Sequence, residues 1–312
     1  MDIIRLIIGF FFNLEVWIVL LMNIFVFVCM IKGRLFWIED NPVYVLVGFS
    51  ILCETCQVLL HAFFIGPSFV RGDFLFGGLD TASVISIDTL FISFWYMGSL
   101  VQILLAINRL AVVYFPSEAF FTHRRVLVLI AFCCMATVGI TMYTQFILPC
   151  CRIVPNPKIY SYSYSAVSNQ TYNFAMAHVD IPLFLTTSAL AGISYFAFFK
   201  HIIDTGGGAG SKGLKYALQF LLMFLTYTIS WLAFFLFPIM GVQTSEAYVP
   251  TAVTLVANCG TNSVVYLVVN REVRYAANQF LSAVGFSHAR KVIRKEKFMT
   301  PNKVHPRNLE KF

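Results

Sequence analysis

The polar residues that could do chemistry in this chain stand inside long apolar runs: Asn23, Glu54, Asp88, Gln102, Arg109, Asn258 and Asn262 are the main ones. Each costs a few kcal/mol at membrane depth, so each needs a partner or a task. For a lone amide or acid the ordinary task is hydrogen-bonded packing between helices, and Asn23 and Glu54 are read that way. Arg109 ends its run, and its planar fork of donors suits holding a neighbouring helix in one state and facing a partner in another. Asn258, Asn262 and Tyr266 recur at i, i+4 and i+8, on one helical face, where they can build a polar, water-bridged hinge. Catalysis is not expected. Glu54 and Asp88 are lone acids in different runs, His61 and His178 are isolated, and no HExxH or GxSxG occurs. The glycine run Gly206-Gly207-Gly208-Ala209-Gly210 is not followed by Gly-Lys-Ser or Gly-Lys-Thr, so it is no phosphate loop, and the eight cysteines show no zinc spacing. No cofactor and no metal site is expected.

The elements that carry these residues follow from composition. A chain of 312 residues that is 59% hydrophobic and only 12% charged cannot bury its apolar surface in a water-soluble core, because soluble domains run about 25% charged. Membrane lipid is the expected solvent. Apolar runs near 8–31, 43–65, 80–113, 126–148, 174–199, 214–240 and 248–269 predict an all-α bundle of seven transmembrane helices within residues 1–270. The first run is read as a retained span, not a cleaved leader. Residues 271–312 are read as an amphipathic helix, with Val273, Ala277, Phe280, Leu281 and Val284 on its apolar side, followed by a basic tail.

Charge sets the orientation. Lys32, Arg34, Arg109, Arg124, Arg125, Lys200, Lys212 and Lys215 fall on the same side as the Lys and Arg residues of the tail, against only Arg5, Arg71, Arg152 and Lys158 opposite. The positive-inside rule puts the tail in the cytosol and the N-terminus outside. The sequon Asn169-Gln170-Thr171 falls in a loop assigned to the outside, as glycosylation of Asn169 requires. That loop, from Pro149 to Tyr172, is the longest connection and is expected to fold over the bundle mouth. The net charge of +7 is therefore topology, and no nucleic-acid partner is expected.

Against this frame the run Ala106-Ile107-Asn108-Arg109-Leu110-Ala111-Val112-Val113-Tyr114-Phe115-Pro116 resembles the Asp-Arg-Tyr segment of the rhodopsin-like G-protein-coupled receptors, with Asn108 in the acidic place. Asn258-Cys259-Gly260-Thr261-Asn262-Ser263-Val264-Val265-Tyr266 is similar to that family's N-S-x-x-N-P-x-x-Y, with Cys259 and Ser263 as substitutions. Asn23 fits the first-helix Asn, and Trp231 the sixth-helix Trp. The resemblance implies that Asn108, Arg109, Asn258, Asn262 and Tyr266 form an activation switch facing a heterotrimeric G protein. Without an acid at Asn108 the local ion pair is missing, and a looser inactive state with basal signalling is expected.

The departures narrow the resemblance. Ile51 stands at the family's second-helix Asp, so its sodium site is not expected, and Glu54 three residues on is not a direct replacement. Val84 replaces the disulfide Cys of the third helix, leaving Cys150 and Cys151 without an obvious partner. Ala233 replaces the sixth-helix Pro, the fourth span has no Trp, and the seventh has no Lys for a retinal Schiff base. With Pro149-Cys150-Cys151-Arg152, Tyr160-Ser161-Tyr162-Ser163-Tyr164, Tyr227-Thr228-Ile229-Ser230-Trp231 and Asn270-Arg271-Glu272-Val273-Arg274, the chain resembles the nematode serpentine chemoreceptors, class X in particular. That resemblance implies a plasma-membrane receptor, of a sensory cilium in many members, for a small environmental or pheromonal molecule. Its pocket is expected in the outer half of the bundle, with Asp88, Phe91 and Trp95 from the third helix and Tyr227 and Trp231 from the sixth. Phe91 holds the place of the amine receptors' anchoring Asp, which argues against a monoamine; Asp88 or Asp180 remains available to pair a cation. The alternatives are a seven-helix ligand-gated channel, whose inside N-terminus the charge bias contradicts, and a non-signalling membrane protein.

Overall fold

The computed structural model describes residues 3–38, 41–115, 121–165, 172–204, 210–239 and 244–285. The helices, in chain order, are α1 (Ile3–Lys32), α2 (Val43–Leu60, running on through a π-helical turn at His61–Ile65 into Gly66–Arg71) and α3 (Ala82–Tyr114). Next come α4 (His123–Met142, with a π-helical turn at Tyr143–Ile147) and a hairpin of β1 (Arg152–Asn156) and β2 (Ser161–Ser165). After it follow α5 (a π-helical turn at Met176–Asp180, then Ile181–Asp204), α6 (Gly210–Ile239), α7 (Val249–Val269) and α8 (Arg271–Ala283). Among the described residues, α1 to α5 and α7 are long and apolar enough to cross a membrane, and α6 contains the shorter apolar stretch Leu221–Leu236.

The helix ends lie where local chemistry stops them. Thr122 caps α4 by accepting a hydrogen bond from the Arg125 backbone N–H at 3.3 Å, and Asn270 caps α8 by accepting from Val273 N–H at 3.0 Å. Gly72 ends α2 at φ 79°, the left-handed position that a side chain would strain. Between the ends, the helices turn large apolar side chains outward: Phe10, Phe11, Ile18 and Leu21 on α1, and Val128, Phe132, Met135 and Val138 on α4 are all exposed. In water this surface would be a severe liability; in lipid it is the solvated face.

The helices close a ring in which α1 packs on α2 and α7, α2 on α3, α3 on α5, α5 on α6 and α6 on α7, while α4 sits outside on α2 and α3. The core has two layers. The outer layer gathers Phe12, Phe64, Phe69, Phe91, Trp95, Tyr96, Trp231 and Phe235, and the inner one Val26, Met30, Leu46, Ile51, Val101, Leu105 and Tyr266. The third apolar run forms one unbroken helix, since no proline interrupts it before Pro116. α8 packs against α1 through Val273, Ala276 and Ala277, with Phe280 meeting Phe25 at 6.1 Å between ring centroids. The expected apolar side is thereby shifted. Ala276 joins it, and Val284, just past the end of the helix, is exposed.

The outer loop folds into the bundle mouth as an antiparallel hairpin whose register pairs Ile153 with Tyr164 and Pro155 with Tyr162. β1 packs on α3 and β2 on α7. Because alternate strand residues share a face, Tyr162, Tyr164 and Ile153 point together into the bundle. Asn156 tightens the turn by accepting from the Lys158 backbone N–H at 3.1 Å. Arg5 of α1 holds the turn from outside, donating to the Tyr160 hydroxyl at 3.3 Å. Cys150 and Cys151, left without a partner by the sequence, are bonded to each other just before β1, and the Cys150 carbonyl accepts from Phe174 N–H at 3.0 Å. Asn169 lies outside the described residues.

Candidate ligand-binding site

The outer half of the bundle is an aromatic chamber roofed by the hairpin. α3 lays Asp88, Phe91 and Trp95 along one face at i, i+3 and i+7. α6 supplies Tyr227 and Trp231, one turn apart. Trp231, fully buried, packs against Trp95 at 5.0 Å and Phe235 at 5.1 Å and forms the floor. Below it the Tyr227 hydroxyl donates to Ser99 Oγ at 3.0 Å and ties α6 to α3. Four of the five expected ligand residues thus come together as one aromatic wall, with Asp88 one turn above it.

Side chains from the roof fill most of the chamber. Tyr162 stacks flat on Phe91, with centroids 4.7 Å apart and planes at 3°, and its hydroxyl is hydrogen-bonded to His61 Nε2. His61 is wholly buried, and its Nδ1 meets the Gln57 carbonyl at 2.8 Å, which makes Nε2 the acceptor of the Tyr162 proton. The Tyr164 hydroxyl donates to Asp180 Oδ2 at 2.6 Å, and Tyr96 of α3 donates to Asp180 Oδ1 at 2.8 Å. Burial pushes the Tyr162 and Tyr164 phenols well above the ordinary tyrosine range, Tyr164 further through the neighbouring Asp180 carboxylate. Among the described residues a cleft of about 20 Å³ stays open between Phe91 and Trp95, Ile153 and Tyr162, Ser230 and Phe234, and Thr251 and Leu255. That holds about one water, far below the several hundred Å³ of a drug-sized site.

The two carboxylates open to a cation by sequence are now distinguished. Asp180 accepts from two phenols, whereas both Asp88 oxygens are buried and have no hydrogen-bond partner among the described residues. Sequence reading did not single out His61, Tyr96, Tyr162 or Tyr164 as site residues. The alternation Tyr160, Tyr162, Tyr164 was visible, but which helix those rings would meet was not.

Deeper, Asn23 donates to the Cys259 carbonyl at 3.0 Å and joins α1 to α7. Asn262 donates to Glu54 Oε1 and, at 3.3 Å, to Ser50 Oγ, while Ser50 itself donates to Glu54 Oε1 at 3.1 Å. Glu54 is therefore the centre of a polar knot between α2 and α7. Asn258, expected beside Asn262, is half-buried and makes no hydrogen bond among the described residues; two helical steps of four rotate it away from the Tyr266 face by about 80°. At the inner end Arg109 is partly buried, with Nη2 at 3.7 Å from Met223 Sδ of α6. Asn108 beside it is buried.

The seven helices thus form a ring with an aromatic chamber at one end and a partly buried arginine at the other. The solved crystal structure of squid rhodopsin superposes with a TM-score of 0.67 at 14% identity, over 97% of this chain and 93% of that one, which shows the shared fold. The family model described as serpentine type 7TM GPCR chemoreceptor Srx matches residues 7–226, and the chain belongs to that family. It is a multi-pass membrane protein of a receptor family, not an enzyme. A search among curated proteins finds no match.

Proposed function

We propose that this chain is a chemosensory receptor of the plasma membrane, N-terminus outside, that binds a small extracellular molecule in the aromatic chamber and activates a heterotrimeric G protein at its inner face. The observation that carries the reading is that α3 and α6 meet at both ends. They share Trp95–Trp231 and Ser99–Tyr227 in the outer half and Arg109–Met223 in the inner half. A ligand that changes the packing of Trp231 changes the angle of α6 on α3, and that motion reaches the arginine through two packed helices. In this reading Asp88, Phe91, Trp95, Tyr227 and Trp231 contact ligand. Asn108, Arg109, Asn258, Asn262 and Tyr266 form the switch, Asn23 and Glu54 hold the helices together, and Asn169 is glycosylated. Residues 1–270 are the bundle and 271–312 the inner helix and cytosolic tail; a sensory cilium is the location that the family suggests.

Two experiments test it. A C-terminal epitope should be reachable only after permeabilisation, with an endoglycosidase-sensitive mass shift lost in Asn169→Gln; a tag reachable on intact cells reverses the orientation and ends the G-protein reading. Purified receptor should drive basal nucleotide exchange on a heterotrimeric G protein, and Arg109→Ala should abolish it.

A further inference from the structure

Among the buried polar atoms that have no hydrogen-bond partner among the described residues are both carboxylate oxygens of Asp88 and Nε of Arg152. Asp88 of α3 is 1% exposed, and neither carboxylate oxygen has a partner. Arg152, at the start of β1, has a buried Nε that is likewise unpartnered, while its Nη2 is held by Asp80 at 2.9 Å and the Leu79 carbonyl at 3.4 Å. The two side chains feel each other's charge but make no ion pair. A buried carboxylate without hydrogen bonds is among the costlier features a protein retains, and the Arg152 charge acts on it without an ion pair. A group that offers N–H donors to Asp88 and an oxygen acceptor to Arg152 Nε would answer both.

The roof indicates what that group is attached to. One turn below Asp88, about 4.5 Å along the helix, the Phe91 ring is covered by the parallel Tyr162 ring, whose hydroxyl is bonded to His61. Tyr162 belongs to a short two-stranded hairpin, and with it in place the cleft beside Phe91 has room for about one water. A phenol stacked on Phe91 and bonded to His61 is therefore a surface for which the chamber is already complementary.

We infer that the ligand is a small aromatic α-amino acid or a close analogue, whose ring replaces Tyr162 on Phe91, whose ammonium binds Asp88 and whose carboxylate binds Arg152. The assignment rests on the receptor reading above and adds the ligand class. An amine alone leaves Arg152 Nε unanswered and an acid alone sets a second carboxylate against Asp88, so both charges are required together. Displacing Tyr162 frees the hairpin face that packs on α3, which couples ligand entry to movement of the roof.

The test uses the full-length receptor in lipid nanodiscs with four probes: tyrosine, tyramine, 3-(4-hydroxyphenyl)propionate and phenylalanine. Binding is read by shift of the melting temperature and by calorimetry, and signalling by nucleotide exchange on added G protein. Tyrosine should bind tightest, tyramine and the phenolic acid about tenfold or more weaker, and phenylalanine weaker by a smaller factor, since a single charged hydrogen bond is worth more than a neutral one. Asp88→Asn should erase the advantage of tyrosine over the phenolic acid, and Arg152→Gln its advantage over tyramine. Arg152 lies in the loop, so its variant keeps the test open if Asp88→Asn fails to fold. No binding of tyrosine at millimolar concentration, equal affinity for all four probes, or an unchanged ranking in both variants overturns the inference. Basal exchange that Arg109→Ala abolishes, seen alongside such a failure, would leave the receptor reading standing; its absence would remove that reading separately.

Discussion

The hydrogen bonds to Asp180 permit a quantitative test of how the roof is held. Its carboxylate is buried and accepts one phenolic proton from α3, Tyr96 at 2.8 Å, and one from β2, Tyr164 at 2.6 Å. Measured side-chain bonds between membrane helices average about 0.6 kcal/mol, but those to a charged acceptor are worth about 1.5–3 kcal/mol; with Asp180 ionised, the second value applies. Tyr164→Phe or Tyr96→Phe alone should therefore cost about 2 kcal/mol, or about 3 °C in melting temperature for a chain of this size. The double variant should cost more than the sum, because it leaves a buried carboxylate with no donor at all. Replacing that carboxylate in the double background, Asp180→Leu, should then recover part of the loss by removing the unpaired charge. The assay is fluorescence-monitored thermal unfolding of the detergent-solubilised receptor. Additive single losses near 0.6 kcal/mol, with no recovery by Asp180→Leu, would refute the reasoning and mark Asp180 as neutral and merely packed.

Four further outcomes follow from the same geometry. Asn262→Ala removes a donor from Glu54 and should destabilise by about 1–3 kcal/mol, more than Asn23→Ala, which loses one neutral bond to the Cys259 carbonyl worth about 0.6 kcal/mol; melting temperatures rank the two. Trp231→Ala empties the chamber floor and should cost about 3–5 kcal/mol, read by the same melt, with ligand-driven exchange lost. Because the Tyr162 and Tyr164 phenols stay neutral in the fold above their ordinary range, the folded state holds protons that the unfolded chain releases. Stability should be flat from about pH 6 to 9 and fall above about pH 10, and melting against pH should show a shallower fall in a Tyr162→Phe/Tyr164→Phe variant. Asn108→Asp should give Arg109 an acidic neighbour in sequence and lower basal nucleotide exchange on the G protein.

The hairpin and the switch occupy opposite ends of one helix pair, which gives the fold a division of labour. The outer end is held by hydrogen bonds from phenols to His61 and Asp180, on α2 and α5. At the inner end Arg109 meets Met223 of α6. The polar knot of Ser50, Glu54 and Asn262 lies between them on α2 and α7. Motion of α6 on α3 can therefore occur without breaking the α1, α2 and α7 packing that Asn23 and Asn262 secure.

Periodicity and charge in the sequence alone determine the class of fold. Seven apolar runs must be helices, because lipid offers backbone groups no other partner, and the Lys and Arg bias gives them a direction. Single positions on one helix were legible too: Phe91 and Trp95 share a face of α3 by spacing alone, and one unbroken third helix follows from the absence of proline before Pro116. What required the tertiary structure were the contacts between segments far apart in the chain. His61 and Tyr162 are 101 residues apart and Glu54 and Asn262 are 208, and no local pattern encodes which ring reaches which acid. So the sequence could offer Asp88 and Asp180 as equal candidates for a cation, and only packing decided between them, by directing two phenols onto Asp180 and none onto Asp88. Helical faces are set by a 3.6-residue period that any reader can count; hydrogen-bond partners are set by how the helices lean on one another, which depends on every side chain in the bundle at once.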